Sequence, residues 1–140
     1  MNTIGNIDIK ELVNQYGTPL YVYNKQQIIE NYNNLKNTFT KFYPNTSVHF
    51  SVNANSNLHI LKLFNQLGAG ADCSSPFELK LIRLAGFEDN RILYTGNYES
   101  LDDFSEIRTT EIKINLDDIT SFNRLIKVFR PEIGRAHVWT

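Results

Sequence analysis

The chain has 140 residues, 41% apolar and 21% charged, with 14 Lys and Arg against 15 Asp and Glu for a net charge of −1. That composition suits a globular sequence long enough for one core, is too balanced in charge for nucleic acid or an acidic membrane as main partner, and holds no apolar run near the roughly 20 residues of a membrane span. The single cysteine, Cys73, excludes an intramolecular disulfide and fits a reducing cytoplasm, and the opening MNTIGNIDIKELVNQYG lacks the basic-then-apolar pattern that directs export.

PLYVYN (19–24) is a short β-rich run. Asn24 then opens a helix with Gln27 as its capping-box partner. Within it Ile28, Tyr32, Leu35, Phe39 and Phe42 recur at offsets of four and three, one apolar stripe, and Pro44 ends it. SVHFSV (47–52) reads as a strand, and NLHILKLFNQL (57–67) as a helix with Ile60, Phe64 and Leu67 on one face. GAGADC (68–73) is a small-residue strand. Ser75, Pro76 and Glu78 supply an N-cap, a first-turn proline and an acidic third position for a helix that runs through Leu81 and Leu84 to Gly86. RILYTG (91–96) is the next strand, and Ser100 caps an acidic helix start. EIKINL (111–116) is a strand, and Ile119, Phe122, Ile126 and Phe129 mark a last helix.

Strands that begin near 47, 69, 91 and 111 recur at the length of a βα unit. Four such units imply a parallel sheet, as a barrel or as a doubly wound sheet. Neither GxGxxG nor GxxxxGK[ST] occurs, so nothing favours a nucleotide fold. In both architectures ligands bind at the C-terminal ends of the strands. Those ends read Asn53-Ala54-Asn55, Asp72-Cys73-Ser74-Ser75 and Thr95-Gly96-Asn97. Taken one at a time, such residues are ordinary turn and cap formers; taken together at one period they outline a polar mouth.

The run HFSVNANSN…LGAGADCSSPFELKLIRLAGF…RILYTGN, with the YGTPLYVYN opening, resembles the pyridoxal-phosphate decarboxylases of the alanine-racemase fold type, the ornithine/diaminopimelate/arginine decarboxylase family. The likeness covers about residues 15–134. It implies the first four to five βα units of a (β/α)8 barrel that binds pyridoxal 5'-phosphate. The implied reaction is decarboxylation of an amino acid, with meso-diaminopimelate to L-lysine and carbon dioxide as the expected case. A homodimer of the full-length protein is implied as well, in the cytoplasm that the cysteine usage suits and without the nucleic-acid or membrane partner that the charge balance and hydropathy argue against. The YGTPLYVYN and Gly-Ala-Asp-Cys-Ser-Ser segments argue for the decarboxylase branch over a racemase of the same fold type. By the same resemblance, Asn53 stands where the family has the lysine that forms the Schiff base. Asp72 matches the family aspartate, and Thr95, Gly96 and Asn97 match its Thr-Gly-Asn. The implied cofactor-binding residues are therefore Asn53, Asp72 and Asn97, with Asn53 at the catalytic position. Period-two alternation along the strand points Asn53 with Ser51 and His49 toward the mouth.

The departure at that position is chemical. A Schiff base needs an amine lone pair, and an amide nitrogen has given its lone pair to the carbonyl. Lys62 and Lys80 lie on helices and do not replace it. The expectation is an inactive chain, either a piece of a decarboxylase or a noncatalytic relative that binds or regulates a partner. His49 and His59 read as structural, Cys73 as a small buried hydrophobe, and no His–Cys spacing suggests zinc.

The last eight residues, IGRAHVWT (133–140), break the pattern. They match, codon for codon, a translation of a common sequencing adapter, ATC GGA AGA GCA CAC GTC TGA ACT, with TGA read as tryptophan. The expectation is that residues 133–140 are adapter read-through and that residues 1–132 are the N-terminal part of the barrel domain. The remaining strands and the family's C-terminal β domain would then be absent. PLYVYN would have joined that β domain.

Overall fold

The computed structural model describes residues 3–108 and 111–129; the expected adapter-derived segment lies outside them. The chain divides into two compact units, Met1–Thr46 and Ser47–Thr140.

In the first unit β1 (Thr3–Ile4) and β2 (Ile7–Asp8) pair antiparallel around a turn in which Gly5 has φ 62°. The Asp8 carboxylate accepts the Lys10 N–H at 2.7 Å and so caps α1 (Ile9–Tyr16). The sequence pattern assigned nothing to this stretch. The PLYVYN run forms no strand: Tyr21 and Tyr23 are exposed, and a strand needs a neighbour for its backbone groups. Asn24 caps α2 (Lys25–Thr40) as expected, accepting the Gln27 N–H at 3.2 Å. The box is only half made: the Gln27 side chain does not accept the Asn24 N–H in return, and its amide donates to Asn31 Oδ1 at 3.0 Å. Of the expected stripe, Tyr32 is buried, while Leu35, Phe39 and Phe42 are exposed. The helix stops at Thr40, ahead of Pro44.

The second unit alternates strand and helix: β3 (His49–Ser51), α3 (Leu58–Gln66), β4 (Gly70–Cys73), α4 (Pro76–Leu84), β5 (Ile92–Tyr94), α5 (Leu101–Glu106), β6 (Lys113–Ile114) and α6 (Ile119–Val128). The strands are all parallel and lie in the order β3-β4-β5-β6. Consecutive order over four strands, without the reversal that a doubly wound sheet contains, makes this a partial (β/α)8 barrel.

Residues in register across a parallel sheet share a face. Phe50, Ala71, Cys73, Ile92, Tyr94 and Ile114 form one face. It packs on Leu61 of α3, Leu79 and Ile82 of α4, Phe104 of α5 and Leu125 of α6. Burial of each such aliphatic side chain stabilises the fold by roughly 1.5–3 kcal/mol. Phe50 stacks on Phe64 with ring centroids 4.0 Å apart, joining β3 to α3. The buried faces are rotated from those the periodicity predicts. Leu84, Ile119 and Ile126 are exposed, while Leu79, Ile82, Ser121 and Leu125 are buried.

Candidate functional site

The other face of the sheet carries His49 and Ser51 from β3, Gly70 and Asp72 from β4, Leu93 from β5 and Lys113 from β6. In a barrel this is the interior face, and polar groups there mark the working side of the sheet. Thr95, just past β5, donates its hydroxyl proton to Asp72 Oδ1 at 2.7 Å. That bond ties the ends of β4 and β5 together. It leaves Asp72 with further lone pairs for a cation or a second donor. Sequence reasoning placed Thr95 in the mouth but missed it as the partner of Asp72, although the period of two from Leu93 carries that signal.

His49 and Gly70 are coupled by volume. A Cβ on Gly70 would lie 2.3 Å from His49 Cδ2 and 2.5 Å from Nε2, so the imidazole occupies the space a side chain would need. Burial pushes the His49 pKa below its ordinary value, the Lys113 ammonium adds to that, and Asp72 partly opposes it. His49, Asp72 and Lys113 thus share one electrostatic field on this face.

The expected site residues fall at three neighbouring strand ends. Asn53 is exposed, in a single 3₁₀ turn (Val52–Ala54) that begins directly after β3. The strand ends at Ser51, so the alternation that was to orient Asn53 stops before it reaches this residue. Asp72 is half-buried on β4, and Asn97 is exposed in the β5–α5 turn. The structure brings Asp72 and Thr95 into contact. Asn53 and Asn97 sit at the rim of the same edge.

Cys73 points to the helix side. It is buried, its thiol donates to the Leu93 carbonyl at 3.7 Å, and burial pushes its pKa up to about 12, so no thiolate forms near neutrality. His59 lies exposed on α3. Among the described residues no group of His, Cys, Asp and Glu could hold a metal ion, and no helix is long and apolar enough to cross a membrane.

The sequence profile described as "Pyridoxal-dependent decarboxylase, pyridoxal binding domain" matches residues 25–139. The chain is similar to diaminopimelate decarboxylase of Methanothermobacter thermautotrophicus, 37% identical over 96% of this chain and 34% of that protein. It is 41% identical to the Aquifex aeolicus enzyme of the same name, over 66% of this chain and 21% of that one. Among solved structures, diaminopimelate decarboxylase from M. jannaschii in complex with L-lysine superposes with a TM-score of 0.84 at 30% identity, over 90% of this chain and 30% of that one. The chain therefore spans between about a fifth and a third of the length of these relatives.

Proposed function

The chain belongs to the pyridoxal-dependent decarboxylases, through their pyridoxal-binding domain, and from that premise we propose that it is the N-terminal part of the barrel of a diaminopimelate decarboxylase and is inactive as it stands. The reaction of the full enzyme would convert meso-diaminopimelate to L-lysine and carbon dioxide, as a cytoplasmic homodimer. The L-lysine in the M. jannaschii relative is what that reaction would release.

Pyridoxal phosphate is the cofactor of this family; when bound, its ring takes up the electrons left by the departing carboxylate. The residues present do not fit that group held covalently. Asn53 offers an amide at the expected lysine position, and among the described residues the one lysine on a strand of the sheet is Lys113, on β6, at the far edge from β3. Asn53, Asp72 and Asn97 can offer hydrogen bonds to a cofactor held without a covalent link. Asp72, kept in place by Thr95, supplies the negative charge on this face.

The observation that supports the reading is Asn53 in the turn directly after β3, the strand whose Ser51 pairs in register with Asp72, so that both expected residues lie at neighbouring strand ends. The same residue supports a second reading, a noncatalytic relative that binds or regulates a partner. Purified 140-residue chain incubated with meso-diaminopimelate and pyridoxal phosphate should release no carbon dioxide; release above background sinks the proposal of inactivity. In a longer protein carrying the rest of the barrel, Asn53→Lys should allow borohydride to trap the cofactor at position 53, and the unsubstituted protein should trap none. Equal trapping in both, at another lysine, would show that position 53 is misassigned.

A further inference from the structure

The turn after β5 is built around a carboxylate that the expected site does not use. Glu99 is only 5% exposed. A Cβ on Gly96 would lie 1.9 Å from Glu99 Oε1 and 2.6 Å from the Tyr94 ring, so Gly96, Glu99 and Tyr94 are packed without slack. Tyr98 between them takes φ 61° and is exposed, a left-handed conformation that a tyrosine rarely adopts. It turns the chain so that Asn97 and Tyr98 face outward while Glu99 goes in.

Two buried side-chain atoms of the second unit have no hydrogen-bond partner: Glu99 Oε2 in this turn and Arg124 Nε of α6. The other guanidinium nitrogens are committed, Nη2 to Ser121 Oγ at 2.8 Å and Nη1 to Thr120 Oγ1 at 3.1 Å. Ser121 in turn donates to Asp117 at 3.0 Å. One orphaned acceptor and one orphaned donor, of opposite charge and acting on each other electrostatically, are complementary, and buried polar groups are as a rule paired.

We infer that Glu99 and Arg124 form a buried polar clasp, closed through one bridging water, that holds the Thr95-Gly96-Asn97 turn in place from beneath. Glu99 is thus a positioning residue for the mouth, a role that rests on the reading of that mouth as the cofactor site. The charged and titratable groups facing Glu99 are Tyr94 on β5, Asp103 on α5, Asp117 before α6 and Arg124 on α6. Burial raises the Glu99 carboxyl above its ordinary range, Asp117 and Asp103 add to that, and Arg124 opposes it.

The test is an NMR titration of the 140-residue chain without pyridoxal phosphate, so that it stands or fails independently of cofactor binding. The Glu99 carboxyl carbon and the Gly96 amide should titrate with one shared midpoint, above that of an ordinary glutamate. Arg124→Met should move that midpoint higher, and Arg124→Lys should move it by less. In Glu99→Gln the Gly96 titration should vanish, with the resonances of α3 and α4 unchanged. A Gly96 amide that does not follow the Glu99 carboxyl in the unsubstituted chain overturns the clasp, whatever the variants do. So does a Gly96 titration that persists in Glu99→Gln, or a midpoint indifferent to Arg124.

Discussion

Asparagine and lysine differ at position 53 in one respect that matters, the availability of a nitrogen lone pair, and no conformational change supplies it. Asp72 and His49 behave otherwise, because their chemistry is set by neighbours. His49 has a folded pKa below its ordinary 6.5, so its contribution to stability is present above that value and is lost as the pH falls through the lower folded one. Lys113→Met should raise the His49 midpoint and Asp72→Asn should lower it, read from the imidazole carbon resonance; movement in the opposite sense would mean that the three groups do not share a face. Gly70 tests the same contact by volume. Gly70→Ala should destabilise the fold by about 1–3 kcal/mol in urea unfolding, an overpacking cost. Adding His49→Ala should restore only part of it, because the Arg91 carbonyl also lies 2.8 Å from the new Cβ and, as backbone, cannot swing away. Full restoration would place the whole strain on the imidazole.

At the scale of elements, the caps were legible and the buried faces were not. Ser75 accepts the Glu78 N–H at 3.2 Å, and Ser100 with Asp103 makes a complete capping box. Such signals are local, so they survive without knowledge of the fold. Ser75→Ala should cost about 1 kcal/mol of stability, seen as an earlier urea midpoint at unchanged slope. Asp118 caps α6 through Ser121 N–H at 2.9 Å, and its carboxyl pKa falls from 3.8 to about 2 because hydrogen bonds from Thr120 and Ser121 favour the charged form. That contribution is present above pH 3.8 and is lost as the pH falls through about 2. Asp118→Asn, still able to accept, should remove the part of the acid-side loss that belongs to this cap, and an unchanged profile would assign that loss elsewhere. The apolar periodicity failed where a helix offers apolar residues on more than one side. Both Leu81–Leu84 and Leu79–Ile82 fit the turn of α4, and only packing on the sheet decides that the second pair goes in. In α6 it selects Ser121 with Leu125 over Ile119 with Ile126. Asn53 escaped orientation for a related reason: the strand ends at Ser51, two residues before it, so the alternation does not reach it.

At the scale of the whole molecule, four strands do not close a barrel, which takes about 250 residues in complete form. Within the second unit β4 and β5 are flanked on both sides, while β3 and β6 each pair with one neighbour among the described residues. An edge strand loses its bonds by local opening, whereas a central one gives them up only when the core comes apart. The core lies against β4 and β5, where Ala71, Cys73, Ile92 and Tyr94 are all buried. In the first unit, Leu12 and Tyr32 are the buried apolar side chains among the described residues, and Tyr16, Tyr21, Phe42 and Tyr43 stand exposed. Amide hydrogen exchange should therefore fall in three tiers. The Thr95 amide, which donates to the Cys73 carbonyl at 2.8 Å between the central strands, should exchange slowest. The Asn115 amide, bonded to Tyr94 across the β5–β6 pair, should exchange faster. The amides of α2 should exchange fastest of the three. If Asn115 is protected as strongly as Thr95, β6 is not a free edge, and a second copy or another segment of a longer chain covers it. A concentration series separates those two cases, since only association between copies makes the protection grow with protein concentration.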